Sequence, residues 1–234
     1  MYNEEKMVIP TLQQVWPEVH QLIIVNDGST DASEDRVRRW MEDKEGVSLI
    51  SMRKNRGKAV AMREGLLWIN QRFLEGKLAP HDIIITVDAD GQHLGGDING
   101  LCHYMLTYGY DMVITRRDFS MYPRFKIIGN RVLTWVASLL GGFAFRDIEC
   151  GFRLFKVRVV PDLLKYYTGF HYSFEQETGV LAARLHYRIS NDVPIKVKFY
   201  RGGGTKIIDG LLNISATIFS LVKLLLYEKK DSSP

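Results

Sequence analysis

The sequence predicts an α/β fold built in layers, and three observations carry that expectation. Strand-like runs alternate with helical patterns through the first half of the chain, the order of parallel strands joined by crossover helices. Acid-rich turn clusters follow those runs at their carboxyl ends, the edge at which such sheets bind ligands. The size and composition agree: 234 residues, 46% hydrophobic and 25% charged, describe a single packed globular domain.

The elements follow in order. "QLIIV" (Gln21 to Val25) is a β-branched run that stops at "NDGSTD", where Ser29, Thr30 or Asp31 suits a helix N-cap. A charged helical pattern covers Ala32 to Asp43, and "VSLISM" (Val47 to Met52) gives a second strand. A helix is expected over Ala59 to Leu74 and a third strand over "DIIITV" (Asp82 to Val87). Beyond it, "YDMVITRR" reads as a strand running into a basic loop, Asn130 to Leu140 as a helix, and "CGFRLFK" as a short strand after a turn. Glu175 to His186 reads as a helix and "VPIKVKFY" (Val193 to Tyr200) as a strand. Residues 1–210 then form one domain without internal repeats, followed by an apolar segment, Leu211 to Tyr227, and a polar tail to residue 234.

Composition narrows the partners. A net charge of +4 suits an anionic partner such as a phosphate or a lipid headgroup and is too weak to point to nucleic acid. Cys102 and Cys150 lack the paired spacing of a metal or redox motif and fit reduced thiols in the cytosol. "MYNEEKMVIP" has no basic region followed by an apolar one, so no secretory signal is expected. Neither GxGxxG nor GxxxxGK[ST] occurs, so a bound nucleotide would need a metal to hold its phosphates. The histidines show no ligand spacing, and no Ser-His-Asp arrangement can be argued.

Three motifs carry chemistry. In "TVDADGQH", Asp88 and Asp90 stand at i and i+2 at the end of a strand, with Gln92 two residues on. Two close carboxylates repel unless a cation or proton intervenes, and hard oxygen ligands suit Mg²⁺ or Mn²⁺ completed by substrate phosphates. The alternative is a solvated Asp-Ala-Asp-Gly turn. Asp27, in "VNDGSTD", can accept hydrogen bonds from a base or a ribose hydroxyl, or serve the turn itself. "TRRDFSMYPRFKIIGNR" sets Arg116, Arg117, Arg124, Lys126 and Arg131 against Asp118 alone: an anion site built on bidentate arginines, or a solvated basic face. "YRGGGTK" flanks three glycines with Arg201 and Lys206 and can close over phosphates, or be a surface connection. The segment from Leu211 to Tyr227 is at the short limit for a membrane span. It suits a helix lying at a membrane interface, packed on a partner, or buried as core.

Together these segments resemble glycosyltransferase family 2, and within it the polyprenol-phosphate (dolichol-phosphate) mannosyl- and glucosyltransferases. The matching stretches are "MYNEE", "IIVNDGSTDAS", "NRGKAVAMREGL", "TVDADGQH", "RDIECGFRLFK" and "YRGGGTK", in family order and across nearly the whole chain. The resemblance implies a Rossmann-like nucleotide-sugar fold of the GT-A type with a mixed central sheet. It implies that Tyr2, Glu4 and Asp27 surround the nucleoside with Lys58 nearby, that Asp88 faces the donor, and that Asp90 and Gln92 bind the metal. It further implies that Arg116 or Arg117, with Arg131, engages the acceptor phosphate. Arg201 and Lys206 would close over the donor phosphates, and Asp147 and Arg153 would line the sugar site. Family members begin with an apolar strand and a proline before the "YNE" segment; here the chain starts at Met1, so a sheet lacking that first strand is expected.

The expected reaction moves a hexose from a nucleoside-diphosphate sugar to a polyprenyl phosphate, with a divalent metal and with inversion, at the cytosolic face of a membrane. One alternative acceptor is a soluble saccharide or a protein hydroxyl, which requires a base, with Asp147 or Glu175 as candidates. Another is a truncated subunit that binds nucleotide sugar without turnover.

Overall fold

The computed structural model describes residues 1–91, 98–120, 122–197 and 207–231. Strand β1 (Leu22–Asn26) pairs in parallel with β2 (Val47–Ser51), Ile24 opposite Leu49. Helices α2 (Ser33–Met41) and α3 (Lys58–Leu74) follow them in turn, the strand-helix alternation that the sequence announces. A second sheet has the order β3 (Ile83–Thr86), β6 (Arg153–Lys156), β4 (Met112–Ile114), β7 (Ile189–Ser190). β6 runs antiparallel to both its neighbours, while β7 is parallel to β4. A short pair, β5 (Arg116–Arg117) with β8 (Pro194–Ile195), extends the rim. The sheet is therefore mixed, and the strand read from "CGFRLFK" is the one that reverses direction.

Strand periodicity sorts the core. Met112 and Ile114 of β4 and Phe155 of β6 point to one face, into a cluster with Leu66 and Val180. Val113 and Leu154 point to the other, against Ile98, Leu101 and Met105. All three residues of β4 are buried, which identifies it as a central strand covered on both faces.

Some boundaries differ from expectation. Helix α5 (Arg124–Gly141) begins directly after Pro123 rather than at Asn130, so Arg124, Lys126 and Arg131 lie on a helix and not in a basic loop. Proline fixes an extended entry and Gly142, left-handed at φ 64°, terminates the helix. Of the strand expected over Val193 to Tyr200, Pro194–Ile195 pairs, and residues 198–200 lie outside the described residues. Helices α1 (Val8–Val15), α4 (Ile98–Thr107) and α6 (Val160–Tyr166) were not anticipated. Helix α7 (Phe174–Arg184) matches its expected segment, and α8 (Ile207–Asp231) is longer than Leu211 to Tyr227.

Candidate active site at the strand ends

The amino-terminal segment and the turn after β1 form one hydrogen-bonded unit. Met1 N donates to Val25 O at 2.6 Å and Asp27 N to Met1 O at 2.9 Å. Asn3 bonds to Ser29 and Thr30, Glu4 N donates to Ser33 Oγ at 2.8 Å, and Glu5 N to Asp31 Oδ2 at 3.2 Å. Asp31 also accepts from Ser33 N at 2.9 Å, a local turn bond, while Ala32 stands at the N-cap of α2 without a side-chain cap. This unit explains why "MYNEE" and "NDGSTDAS" belong together.

Asp27 is buried and its carboxylate accepts from Arg56 N at 2.8 Å and Gly57 N at 2.9 Å. It thus pins the loop that delivers Lys58 at the start of α3. Gly57, at φ 94°, adopts a backbone that favours glycine at that point.

Lys58 occupies a helix N-terminus, where a cation is unfavourable, and specific partners hold it there. Its Nζ lies 2.7 Å from Asp88 Oδ1 and 2.8 Å from Glu175 Oε1. Burial opposes its charge, but Asp88 and Glu175 overrule burial and keep the ammonium above its ordinary pKa. Gly151 completes the cluster. A Cβ there would stand 2.7 Å from Asp88 Oδ2 and 3.3 Å from Lys58 Nζ, and Gly151 O accepts from Thr86 Oγ1 at 2.6 Å.

The segment from Asp147 to Gly151 joins this acidic side to the basic one. Asp147, fully enclosed, receives Arg117 Nε at 2.8 Å, Nη2 at 2.7 Å and the Arg117 backbone N–H at 3.0 Å. Arg117 Nη2 also reaches Asn130 Oδ1 of α5 at 3.0 Å. Arg153 is completely buried, and its guanidinium donates to Ile148 O, Cys150 O, Glu175 O and Thr178 Oγ1. It therefore ties the segment to the start of α7.

These placements sort the expected residues. Asp147 and Arg153 do not line the open rim: both are turned into the protein, where they fix the segment between Asp88 and Arg117. Arg117 is clasped by Asp147, and with Arg116 beside it lines an open groove of about 490 Å³ together with Phe119 and Lys196. Tyr2 and Arg131 are exposed, and Glu4 is half-buried. Gln92, Arg201 and Lys206 lie outside the described residues. Sequence reasoning missed Gly151 as a contact of Asp88, and it missed Glu149. The Glu149 carboxyl is pushed up to about 7 by burial and then by the charge of Glu175, and its Oε1 has no hydrogen-bond partner. Both sit inside "ECGFR", the motif whose glycine and acid were the available signal.

A divalent cation fits the rim by its charge. The Glu4 carboxyl is raised, first by burial and then by Asp90, so negative charge is crowded where Asp88 and Asp90 emerge. Among the described residues no group of three His, Cys, Asp or Glu side chains is arranged to hold a metal. A Mg²⁺-type site needs only one or two carboxylates when substrate phosphates supply further ligands, and Asp88 and Asp90 supply that number.

The chain matches the family described as Glycosyl transferase family 2 over residues 1–164. It is 30% identical over 218 residues to an uncharacterized protein of Methanocaldococcus jannaschii, covering 89% of this chain and 84% of that protein. It is 26% identical to the UDP-N-acetylglucosamine–dolichyl-phosphate N-acetylglucosaminyltransferase of Methanococcus voltae, over 89% of this chain and 88% of that one. In shape it resembles the glucosyl-3-phosphoglycerate synthase of Mycobacterium tuberculosis crystallised with Mn²⁺, UDP-glucose and phosphoglyceric acid, with a TM-score of 0.62. That match has 16% identity and covers 95% of this chain and 76% of that one. The likeness establishes the GT-A fold. With acids gathered at the strand ends of that fold and the family's motifs spread over the matched residues, the chain belongs to glycosyltransferase family 2 and is a glycosyltransferase.

Proposed function

We propose that the protein transfers a hexose from a nucleoside-diphosphate sugar to a polyprenyl phosphate, with inversion, at the cytosolic face of a membrane. The observation that carries the reading is the single braced segment from Asp147 to Gly151, with Asp88 against one end and Arg117 at the other. One rim thus presents carboxylates for a cation-bound diphosphate and arginines for an anionic acceptor. Relatives named for transfer to dolichyl phosphate support the choice of acceptor. Both cysteines are unpaired, as suits the cytosolic side.

In this reading Tyr2, Glu4 and the loop pinned by Asp27 surround the nucleoside. Asp90 and Asp88, with Gln92, hold Mg²⁺ or Mn²⁺, which when bound supplies Lewis-acid stabilisation of the leaving diphosphate. Lys58 holds Asp88 oriented toward the donor. Arg201 and Lys206 close over the donor phosphates. Arg116 and Arg131 offset repulsion between the two anions, and Arg117, oriented by Asp147, sets the position of that basic edge. The acceptor needs no dedicated base, because a phosphate monoester with a second pKa of about 6 is largely ionised at neutral pH.

The test is incubation of the chain with radiolabelled GDP- and UDP-sugars and polyprenyl phosphate, with Mg²⁺, Mn²⁺ or chelator, beside Asp90→Ala. Metal-dependent label in the lipid, absent in the variant, supports the proposal and names the sugar. Nucleotide-sugar binding without any lipid product contradicts it and favours a binding subunit or another acceptor.

A further inference from the structure

Two helices of this domain are inside out. On α8, the side chains turned into the protein include Asn213, Thr217 and Ser220, all completely buried. Its outward face carries Leu211, Phe219, Val222, Leu225 and Leu226. Helix α5 repeats the inversion: Asn130, Thr134, Ala137 and Gly141 face inward, while Phe125, Ile128, Val132, Trp135 and Leu139 face out. Phe125 is 71% exposed and Trp135 63%. A helix on a water-facing surface has the opposite pattern. Small and polar residues at the helix contacts with apolar side chains outside are what packing in lipid selects.

The two helices pack on each other and on the domain. A Cβ on Gly210 of α8 would lie 3.1 Å from Leu133 of α5. Further along, Ser220 of α8 donates to the buried Glu177 of α7, and Tyr227 meets Tyr166 of α6 edge to face with ring centroids 5.8 Å apart. The stretch Ile208–Tyr227 has the length and mean hydropathy of 1.6 of a membrane span. However, its inner face is held along the domain by these contacts, so the helix lies along the domain with its apolar face turned outward.

We infer that α5 and α8 together form a docking face for the surface of an anionic lipid bilayer. The charge pattern selects lipid over a second copy of the chain. Arg124 and Arg131, both exposed, adjoin the stripe on α5 directly before Phe125 and Val132. In a two-fold symmetric contact the same patch meets itself, so a face edged by these arginines would meet a surface of its own positive sign. Against a bilayer they meet headgroup phosphates while the aromatic and aliphatic side chains enter the acyl boundary. The Arg117 contact with Asn130 connects this face to the basic rim, so docking would bring the site to a lipid-borne phosphate. That last consequence rests on the proposed function; the docking itself does not.

The experiment is flotation of the full chain with phosphatidylcholine vesicles, with and without phosphatidylglycerol, at low and high salt. The chain is expected to float with the anionic vesicles and less at high salt. Phe125→Ser/Trp135→Ser and, separately, Phe219→Ser/Leu226→Ser should each lower the partition coefficient at least about ten-fold with unchanged melting temperature. No flotation of the unaltered chain, or equal flotation of the variants, overturns the inference. A dimer by light scattering that the variants abolish also overturns it, in favour of a contact between copies. Flotation without any sugar transfer leaves docking standing and removes the proposed reaction; transfer to a short, water-soluble prenyl phosphate without flotation does the reverse.

Discussion

Lys58 Nζ lies 2.7 Å from Asp88 Oδ1, a cation placed at a helix N-terminus and held by a carboxylate at the end of the neighbouring strand. The pair links the pinned loop before α3 to the acidic motif, and Glu175 locks it from α7. Lys58→Met would leave the Asp88 and Glu175 carboxylates without the cation between them, so Asp88 would lose the contact that orients it. The kcat/KM for sugar transfer should fall about 100-fold or more, with retained secondary structure by circular dichroism. Unchanged kcat/KM would remove Asp88 orientation from the account.

Gly151→Ala tests the room that Asp88 is given. The new methyl would stand 2.7 Å from Asp88 Oδ2, so the carboxylate must move or the segment must shift. Overpacking of this kind destabilises by about 1–3 kcal/mol. The expected outcome is a lower melting temperature together with a loss of transfer of at least about ten-fold, since an ångström of misplacement at a reacting centre is expensive.

The clasp between Asp147 and Arg117 is a buried pair, and removing one partner strands the other. Asp147→Asn should cost about 3–5 kcal/mol in urea unfolding. The double variant Asp147→Asn/Arg117→Met should recover part of that loss, because the uncompensated charge is gone, while transfer remains low. Additive losses in the cycle would mean that the two residues are not coupled.

Glu149 gives the stability a pH dependence with a definite sign. Its folded pKa of about 7 lies above the ordinary value of 4.5, so the native state holds a proton that the unfolded chain releases first. Its contribution is present below pH ~4.5 and is lost as pH rises through about 7. Glu149→Gln should therefore leave the unfolding free energy unchanged at low pH and raise it at pH ~8, by roughly 3 kcal/mol. An equal effect at both pH values would show that its carboxyl is not held protonated.

Much of the fold was legible because the signals were local. The β-branched runs of β1, β2 and β3 ended at turn chemistry, and the acidic motifs fell at the rim as the strand-helix alternation required. The direction of β6 was not legible, because "CGFRLFK" reads the same in a parallel or an antiparallel ladder. Pro123 could have announced the start of α5, but the arginine-rich composition around it reads equally as loop. At the site, the residue types were visible and their orientations were not. Asp147 and Arg153 have the chemistry of rim residues, yet partners far away in sequence, Arg117 and Glu175, turn them inward. Asp27 reads as a nucleoside contact or a turn residue, and its bonds to the Arg56 and Gly57 amides come from a loop too far along the chain to be read in the sequence. The inversion of α8 was half visible: its apolarity was plain, but which face Asn213, Thr217 and Ser220 took depended on the packing against α7.

The most direct measurement of the central claim is a competition of acceptors. The chain, loaded with its labelled nucleotide sugar and divalent metal, is offered polyprenyl phosphate, the matching unphosphorylated polyprenol and a soluble saccharide, with Arg116→Ala in parallel. The account predicts label on polyprenyl phosphate alone, with a raised KM for that acceptor in the variant. Label on the polyprenol or the saccharide at a comparable rate, unaffected by Arg116→Ala, would contradict it.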